Sequence, residues 1–109
     1  MVRKSAGVID GLAILKRDED EHKICTLWVR PGQRGAGLGE DLLAESIGWL
    51  GCARPLLTVP AEALHHFIPL VAKRGFCISQ HAHGYYRANH CEYVFNGRLP
   101  EQVGVPVLQ

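Results

Sequence analysis

The segment VRPGQRGAGLGEDLLAESIGWL, Val29 to Leu50, places Gly32, Gly35, Gly37 and Gly39 within eight residues. This run of bare backbone separates an extended stretch from an amphipathic one. It limits the chain to folds in which a strand feeds a helix through a tight loop. Before the loop, HKICTLWV (His22 to Val29) reads as a strand ended by Pro31-Gly32. After it, Leu38, Leu42, Leu43, Ile47 and Leu50 fall on one helical arc, Asp41 and Glu45 lie opposite, and Gly51 stops the helix. RPLLTV (Arg54 to Val59) reads as a short buried strand. Strand, helix, strand is a crossover, so the two strands should run parallel.

The flanks supply the other elements. GVIDGLAILKR (Gly7 to Arg17) is apolar on both alternating faces, as a strand covered on both sides would be. DEDE (Asp18 to Glu21) is a solvated turn that joins it to His22–Val29 as an antiparallel hairpin. A second helix is expected to start near Pro60, with Leu64, Phe67, Ile68 and Val71 on its apolar face and Pro69 kinking or splitting it. Lys73 and Arg74 suit its C-terminal dipole, and Gly75-Phe76 makes a Schellman-type stop, Phe76 packing back on Val71. FCISQ and HCEYVF read as strands, with HGYYRAN partly extended between them and Asn96-Gly97 a turn. Residues 1–97 form one domain and 98–109 a loosely attached tail.

At 109 residues the chain holds one core and is small for an enzyme. A formal net charge of +1 gives no electrostatic basis for binding nucleic acid or a membrane surface. No apolar run approaches the ~20 residues a membrane helix requires. MVRKSAGVIDGL has neither the apolar core nor the cleavage site of a signal peptide. Cys25, Cys52, Cys77 and Cys91 form no CxxC pair and are expected to be reduced, buried small hydrophobes in a cytoplasmic protein. His81 and His83, with Cys77, His90 and Cys91 nearby, match no standard zinc spacing and read as strand-edge residues, so no metal is expected. His65-His66 reads as helix surface, and Trp28 and Trp49 as packing residues.

Glycines before a helix N-terminus can serve a turn that needs positive φ. They also let backbone N–H groups wrap an anion at the positive end of the helix dipole, and four together favour this second use. The anion site is neither a P-loop, since Glu40 follows Gly39, nor a GxGxxG dinucleotide loop, since Gly35, Gly37 and Gly39 are spaced by two. The loop instead resembles the acyl-CoA signature of the GNAT superfamily of N-acetyltransferases, [Q/R]-x-x-G-x-[G/A], filled by Arg34, Gly37 and Gly39. KRGF (Lys73 to Phe76) resembles that superfamily's helix ending in Gly-Phe, and the likeness covers Gly7 to Phe95.

The resemblance implies an α/β (α+β) fold: a mixed, mostly antiparallel sheet with a splayed parallel strand pair and two main helices. It implies acetyl-CoA as co-substrate, with Arg34, Gly35, Ala36, Gly37, Leu38 and Gly39 at its pyrophosphate. The backbone of Leu27 and Val29 would pair with the pantetheine in the gap facing Leu57–Val59. An amine would then attack the thioester directly. Many members carry a tyrosine four residues before the glycine of the Gly-Phe pair; here that position is Val71. Tyr85 and Tyr86 are the candidate proton donors in its place. The superfamily also has a strand and two helices ahead of the hairpin, whereas 28 residues precede Val29 here. A short form is therefore expected, its acceptor side completed by a second copy or a partner protein. Two functions follow: an N-acyltransferase acting on an unidentified amine, or a CoA-binding or protein-interaction module without turnover.

Overall fold

Ala6 and Gly7 both take positive φ, 51° and 79°. This two-residue turn folds β1 (Val2–Ser5) back on β2 (Val8–Arg17), Ser5 opposite Val8. The computed structural model describes residues 1–85 and 88–99. The sheet thus begins at Val2, where the sequence suggested a first strand near Gly7; Ser-Ala-Gly lacks the Asn-Gly or Asp-Gly that usually signals such a turn.

Then follow β3 (His22–Val29), α1 (Leu38–Leu50), β4 (Leu56–Pro60), α2 (Leu64–Ala72), β5 (Ile78–His83) and β6 (Cys91–Phe95). Among the described residues, six strands lie in the order β1-β2-β3-β4-β6-β5. Every neighbouring pair is antiparallel except β3 and β4, which the crossover through α1 makes parallel.

Both helices cover one face of this sheet. Leu42, Leu43 and Leu50 of α1 and Val71 of α2 join Ala13, Ile24, Leu27, Leu57, Val59 and Phe95 in a single core. Gly39 and Gly48 each weaken α1 by about 1 kcal/mol relative to alanine. Burying each leucine stabilises by roughly 1.5–3 kcal/mol, so packing decides the helix. Ser46, on the same buried arc, is satisfied by donating to the Leu42 carbonyl at 2.7 Å. The C-terminus of α1 is closed by Gly51 at φ 67°. That of α2 is a Schellman stop, with Gly75 at φ 71° and the Phe76 N–H on the Val71 carbonyl at 3.3 Å.

Several expectations need correction. A short 3-10 turn, Ala61–Ala63, separates Pro60 from α2, and α2 runs unbroken through Pro69. Ile68 is exposed, and Leu70 packs against the core in its place. β2 is not covered on both sides: Val8 and Ile14 are half-exposed. The cysteines are free, but Cys25 and Cys77 are exposed and Cys52 and Cys91 only partly buried. Trp49 lies at the surface under the Arg17 guanidinium, 4.5 Å from the ring centre. The tail begins as packed chain, since Leu99 is buried against Ala82 and Val94. No helix among the described residues is long and apolar enough to cross a membrane.

Gly11 allows α1 to sit close to the sheet. A Cβ there would lie 2.8 Å from Leu42 Cδ1 and 3.2 Å from the Trp28 carbonyl oxygen. Gly11→Ala should therefore destabilise the protein by about 1–3 kcal/mol. Gly48→Ala, with open space around it in mid-helix, should stabilise by about 0.5–1 kcal/mol. Urea unfolding of the two variants should show shifts of opposite sign.

Candidate functional site

The parallel pairing of β3 with β4 lasts two positions, Lys23 with Leu56 and Ile24 with Leu57. Immediately beyond, the β2–β3 register slips, Ile14 facing Thr26 and Leu15 facing Ile24, so that Cys25 is the extra residue of a bulge. A bulge bends its strand and raises its twist. Here it turns β3 away from β4 and opens a cleft of about 790 Å³. Thr26 to Val29 form one wall, Leu57, Thr58 and Pro60 the other, and Phe67 and Leu70 of α2 close the helix side.

The main chain along this wall has a definite direction. The Arg30 N–H donates to the Asp10 carbonyl of β2 at 2.7 Å. Backbone polar groups alternate sides along a strand, so Trp28 also faces β2. The N–H and C=O groups of Leu27 and Val29 then face the open gap. Arg34 Nε donates to the Val29 carbonyl at 3.2 Å, tying the glycine loop to the end of the strand. Arg30 also holds the Asp10 carboxylate at 2.6 Å, and hydrogen bonds from Ser5 and Arg30 keep that carboxyl below its ordinary range.

The glycine loop ends at the same cleft. Gly35 and Gly37 take φ of 85° and 87°, a region unfavourable to other residues, and Gly37 is the N-cap of α1. Nothing about the backbone at Gly32 requires glycine. The Asp41 N–H reaches the Gly37 carbonyl at 3.0 Å, while Leu38, Gly39 and Glu40 sit in the first turn, where N–H groups have no intrahelical acceptor. No side chain among the described residues caps this end. Arg34, Gly35, Gly37 and Gly39 all line the cleft; Ala36 and Leu38 belong to the same turn but not to its wall.

The other sequence candidates are distributed differently. Tyr85 packs with Ala82, Val94 and Leu99 and is not part of the cleft wall. Tyr86 lies outside the described residues. Val71, at the position of the superfamily's tyrosine, is 1% exposed and belongs to the core. Tyr93 stacks on His81 at 4.8 Å between ring centres, and His83 Nδ1 lies 3.1 Å from Cys91 Sγ. No group of three metal-binding side chains occurs among the described residues.

Several cleft residues had no signal in the sequence. Glu92 is 3% exposed and lines the cleft from β6, although its strand pattern marked it only as one polar residue among apolar ones. Thr58 adds a hydroxyl whose Oγ1 is buried without a hydrogen-bond partner among the described residues. His65 and His66 are exposed, as expected, but they also form the rim. Their rings lie 3.9 Å apart, and Arg34 Nη1 is 3.0 Å from His66 Nε2.

That contact requires Nε2 to be the unprotonated nitrogen of a neutral ring. Desolvation, then the Arg34 charge, then His65 lower the His66 pKa from its ordinary value. A folded-state pKa below the unfolded one means the contribution of His66 to stability is full above about pH 6.5 and is lost as pH falls toward the lowered value. An NMR titration of the ring should show His66 protonating below the ordinary histidine range. In Arg34→Gln the midpoint should move up but not fully back, because desolvation remains.

No family model and no curated protein sequence matches the chain. Solved structures do. A protein of Desulfovibrio desulfuricans assigned to the GNAT family of acetyltransferases superposes with a TM-score of 0.62 at 17% identity, over 86% of this chain and 64% of its own. The ribosomal-protein-S18-alanine N-acetyltransferase of Escherichia coli gives a TM-score of 0.66 at 26% identity, over 84% of this chain and 63% of its own. Arabidopsis thaliana Naa50, in complex with the bisubstrate analogue CoA-Ac-MVNAL, gives 0.62 at 24% identity, over 84% and 67%. The chain thus spans less than two thirds of the length of the first two. The superpositions extend over most of this chain, which has the fold of the GNAT superfamily.

Proposed function

We propose that this protein is an N-acetyltransferase that passes the acetyl group of acetyl-CoA to an amine. The observation that carries the reading is the continuity of one surface. The main chain of Leu27 and Val29, not paired with β4, leads along the gap to the uncapped helix end behind Gly37. The first feature suits an extended chain with amide groups, and the second suits a pyrophosphate. Naa50, with the same fold, was solved with a CoA-based bisubstrate analogue.

In this reading the N–H groups of residues 34–39 hold the pyrophosphate, with Gly35 and Gly37 shaping the turn. The pantetheine amides bond to Leu27 and Val29, completing β3 on the side that β4 leaves. A backbone N–H near the bulge polarises the thioester carbonyl. The amine nitrogen attacks the carbonyl carbon, the C–S bond breaks, and the thiolate leaves. A valine at position 71 has no proton to give, so a proton for that sulfur comes from water or from another side chain. A thiol pKa near ~8.5 makes it an acceptable leaving group without dedicated help. Holding the two reactants in line supplies most of the acceleration.

Isothermal calorimetry should detect acetyl-CoA binding to the wild-type protein. Gly37→Asp forces a side chain and a negative charge onto the αL turn beside the pyrophosphate. It should weaken binding at least about tenfold and raise KM for the donor more than it lowers kcat. Gly32→Ala, at a position with no φ requirement, should bind like wild type. An absence of heat at millimolar acetyl-CoA would refute the proposal.

A further inference from the structure

Arg34 and His66 meet at the rim of the cleft, one from the glycine loop and the other from the first turn of α2. Arg34 is engaged at two points. Its Nε donates to the Val29 carbonyl at 3.2 Å, and its Nη1 lies 3.0 Å from His66 Nε2. A guanidinium only donates, so His66 serves it as a neutral ring with its lone pair on Nε2. Both side chains are exposed, so the second contact can be exchanged without disturbing the core.

An anion at the glycine turn changes what each partner needs. A diphosphate on the N–H groups of residues 34–39 offers the Arg34 guanidinium a charged acceptor, which it prefers to a neutral nitrogen. Released from Arg34, Nε2 can take a proton, and the imidazolium becomes a second charged donor to the same anion. Without the anion, protonation sets the ring beside the Arg34 cation. With it, two negative charges outweigh one guanidinium and favour the charged ring. His65, its ring centre 3.9 Å from that of His66, is the other titratable group packed against it. Glu40 and Lys73, paired with each other at 3.8 Å, and Glu92 of β6 also line the cleft, and Glu62 stands in the 3-10 turn ahead of α2. Ordinary carboxylates and lysines titrate near ~4 and ~10, so a change between pH 5.5 and 7.5 is the mark of a histidine.

We infer that His66 is a proton-linked ligand of the donor's diphosphate: acetyl-CoA binds with uptake of one solvent proton at His66 Nε2, and the protein holds its donor less tightly as the solution turns alkaline. This rests on the acetyltransferase reading above. Neutral His66, one proton and the donor anion give an imidazolium–diphosphate complex, with no covalent change. Below the titration of the ligand-free ring, His66 is charged with or without donor, and affinity is highest. Above the titration of the complex it is neutral in both, and affinity is lowest. Between the two, each pH unit lowers affinity by up to about tenfold. The donor must raise the proton affinity of the ring by the same factor as the proton raises affinity for the donor. A phosphate diester carries no group that titrates in this range. The ribose phosphate monoester of CoA does, near ~6, so a donor lacking it isolates the effect of the diphosphate.

Calorimetry in buffers of different ionisation enthalpy counts the protons taken up. Acetyl-dephospho-CoA should bind the wild-type protein at pH 6 with uptake of roughly half a proton. Its affinity should fall about five- to tenfold between pH 5.5 and 7.5. His66→Gln keeps an acceptor for Arg34 and takes no proton. It should bind without uptake and with less than about twofold change over the same range, near the wild-type affinity at pH 7.5. His65→Gln should retain the uptake. A second measurement follows the His66 ring by NMR, with and without saturating acetyl-CoA: its titration midpoint should move up in the complex. A midpoint that stays or falls would overturn the linkage. So would uptake that survives in His66→Gln, or uptake seen with acetyl-CoA and absent with a bound dephospho donor. Each of these outcomes leaves acetyl-CoA binding itself standing, whereas no binding of acetyl-CoA at any pH would overturn both readings.

Discussion

The site depends on where one ladder of hydrogen bonds ends. Adjacent parallel strands normally pair along their length, and β3 and β4 stop after Ile24 and Leu57. Had they continued, Leu27 and Val29 would have spent their N–H and C=O groups on β4. The sheet would then be unbroken and the cleft would not exist. The bulge at Cys25 prevents this with a single extra residue in β3 where it pairs with β2. Unpaired backbone is costly when buried, on the order of 1–3 kcal/mol per group. Such a gap therefore persists because it remains open to solvent or to a ligand that satisfies it.

Around the gap the fold supplies rigidity. Gly11 lets Leu42 press against β2, and the leucines of α1 fix the helix by burial despite two glycines within it. Its N-terminus is aligned with the end of β3 by contacts at both ends of the loop. Arg30 grips Asp10 by main chain and side chain, and Arg34 grips the Val29 carbonyl. α2 is joined to the same unit, Leu70 lying against Gly39 and Lys73 pairing with Glu40 at 3.8 Å. That surface ion pair contributes little on its own. The apolar contact and the shared core carry the coupling.

Much of this architecture is legible in the sequence. The crossover, the apolar arc of α1, the Gly75 stop and the strands after β1 follow from local rules, because each reflects a residue's own backbone preference or a single buried face. Gly35 and Gly37 adopt the positive φ that a tight turn into the helix requires. The misses share a different cause. β2 looks like a doubly covered strand because hydrophobicity records what could be buried, not what is. The same holds for Trp49, which shelters its ring beneath Arg17, and for the cysteines. Glu92, Thr58 and the His65–His66 rim gain their meaning only from register and from the divergence of two strands far apart in sequence.

The margins of the sheet bear on how this molecule meets others. Among the described residues both outer strands are irregular, β1 slipping register between Arg3 and Lys4 and β5 between Ile78 and Gln80. Strand irregularities and edge charges are two means by which proteins prevent a foreign strand from docking onto an open ladder. Arg3, engaged with Glu45 of α1, and Lys4 place basic side chains along one margin. His81 and His83 place ionisable rings on the other. Edge-to-edge growth into extended sheets is thereby obstructed at both ends, so crowding copies of this chain together should bring faces into contact before strands.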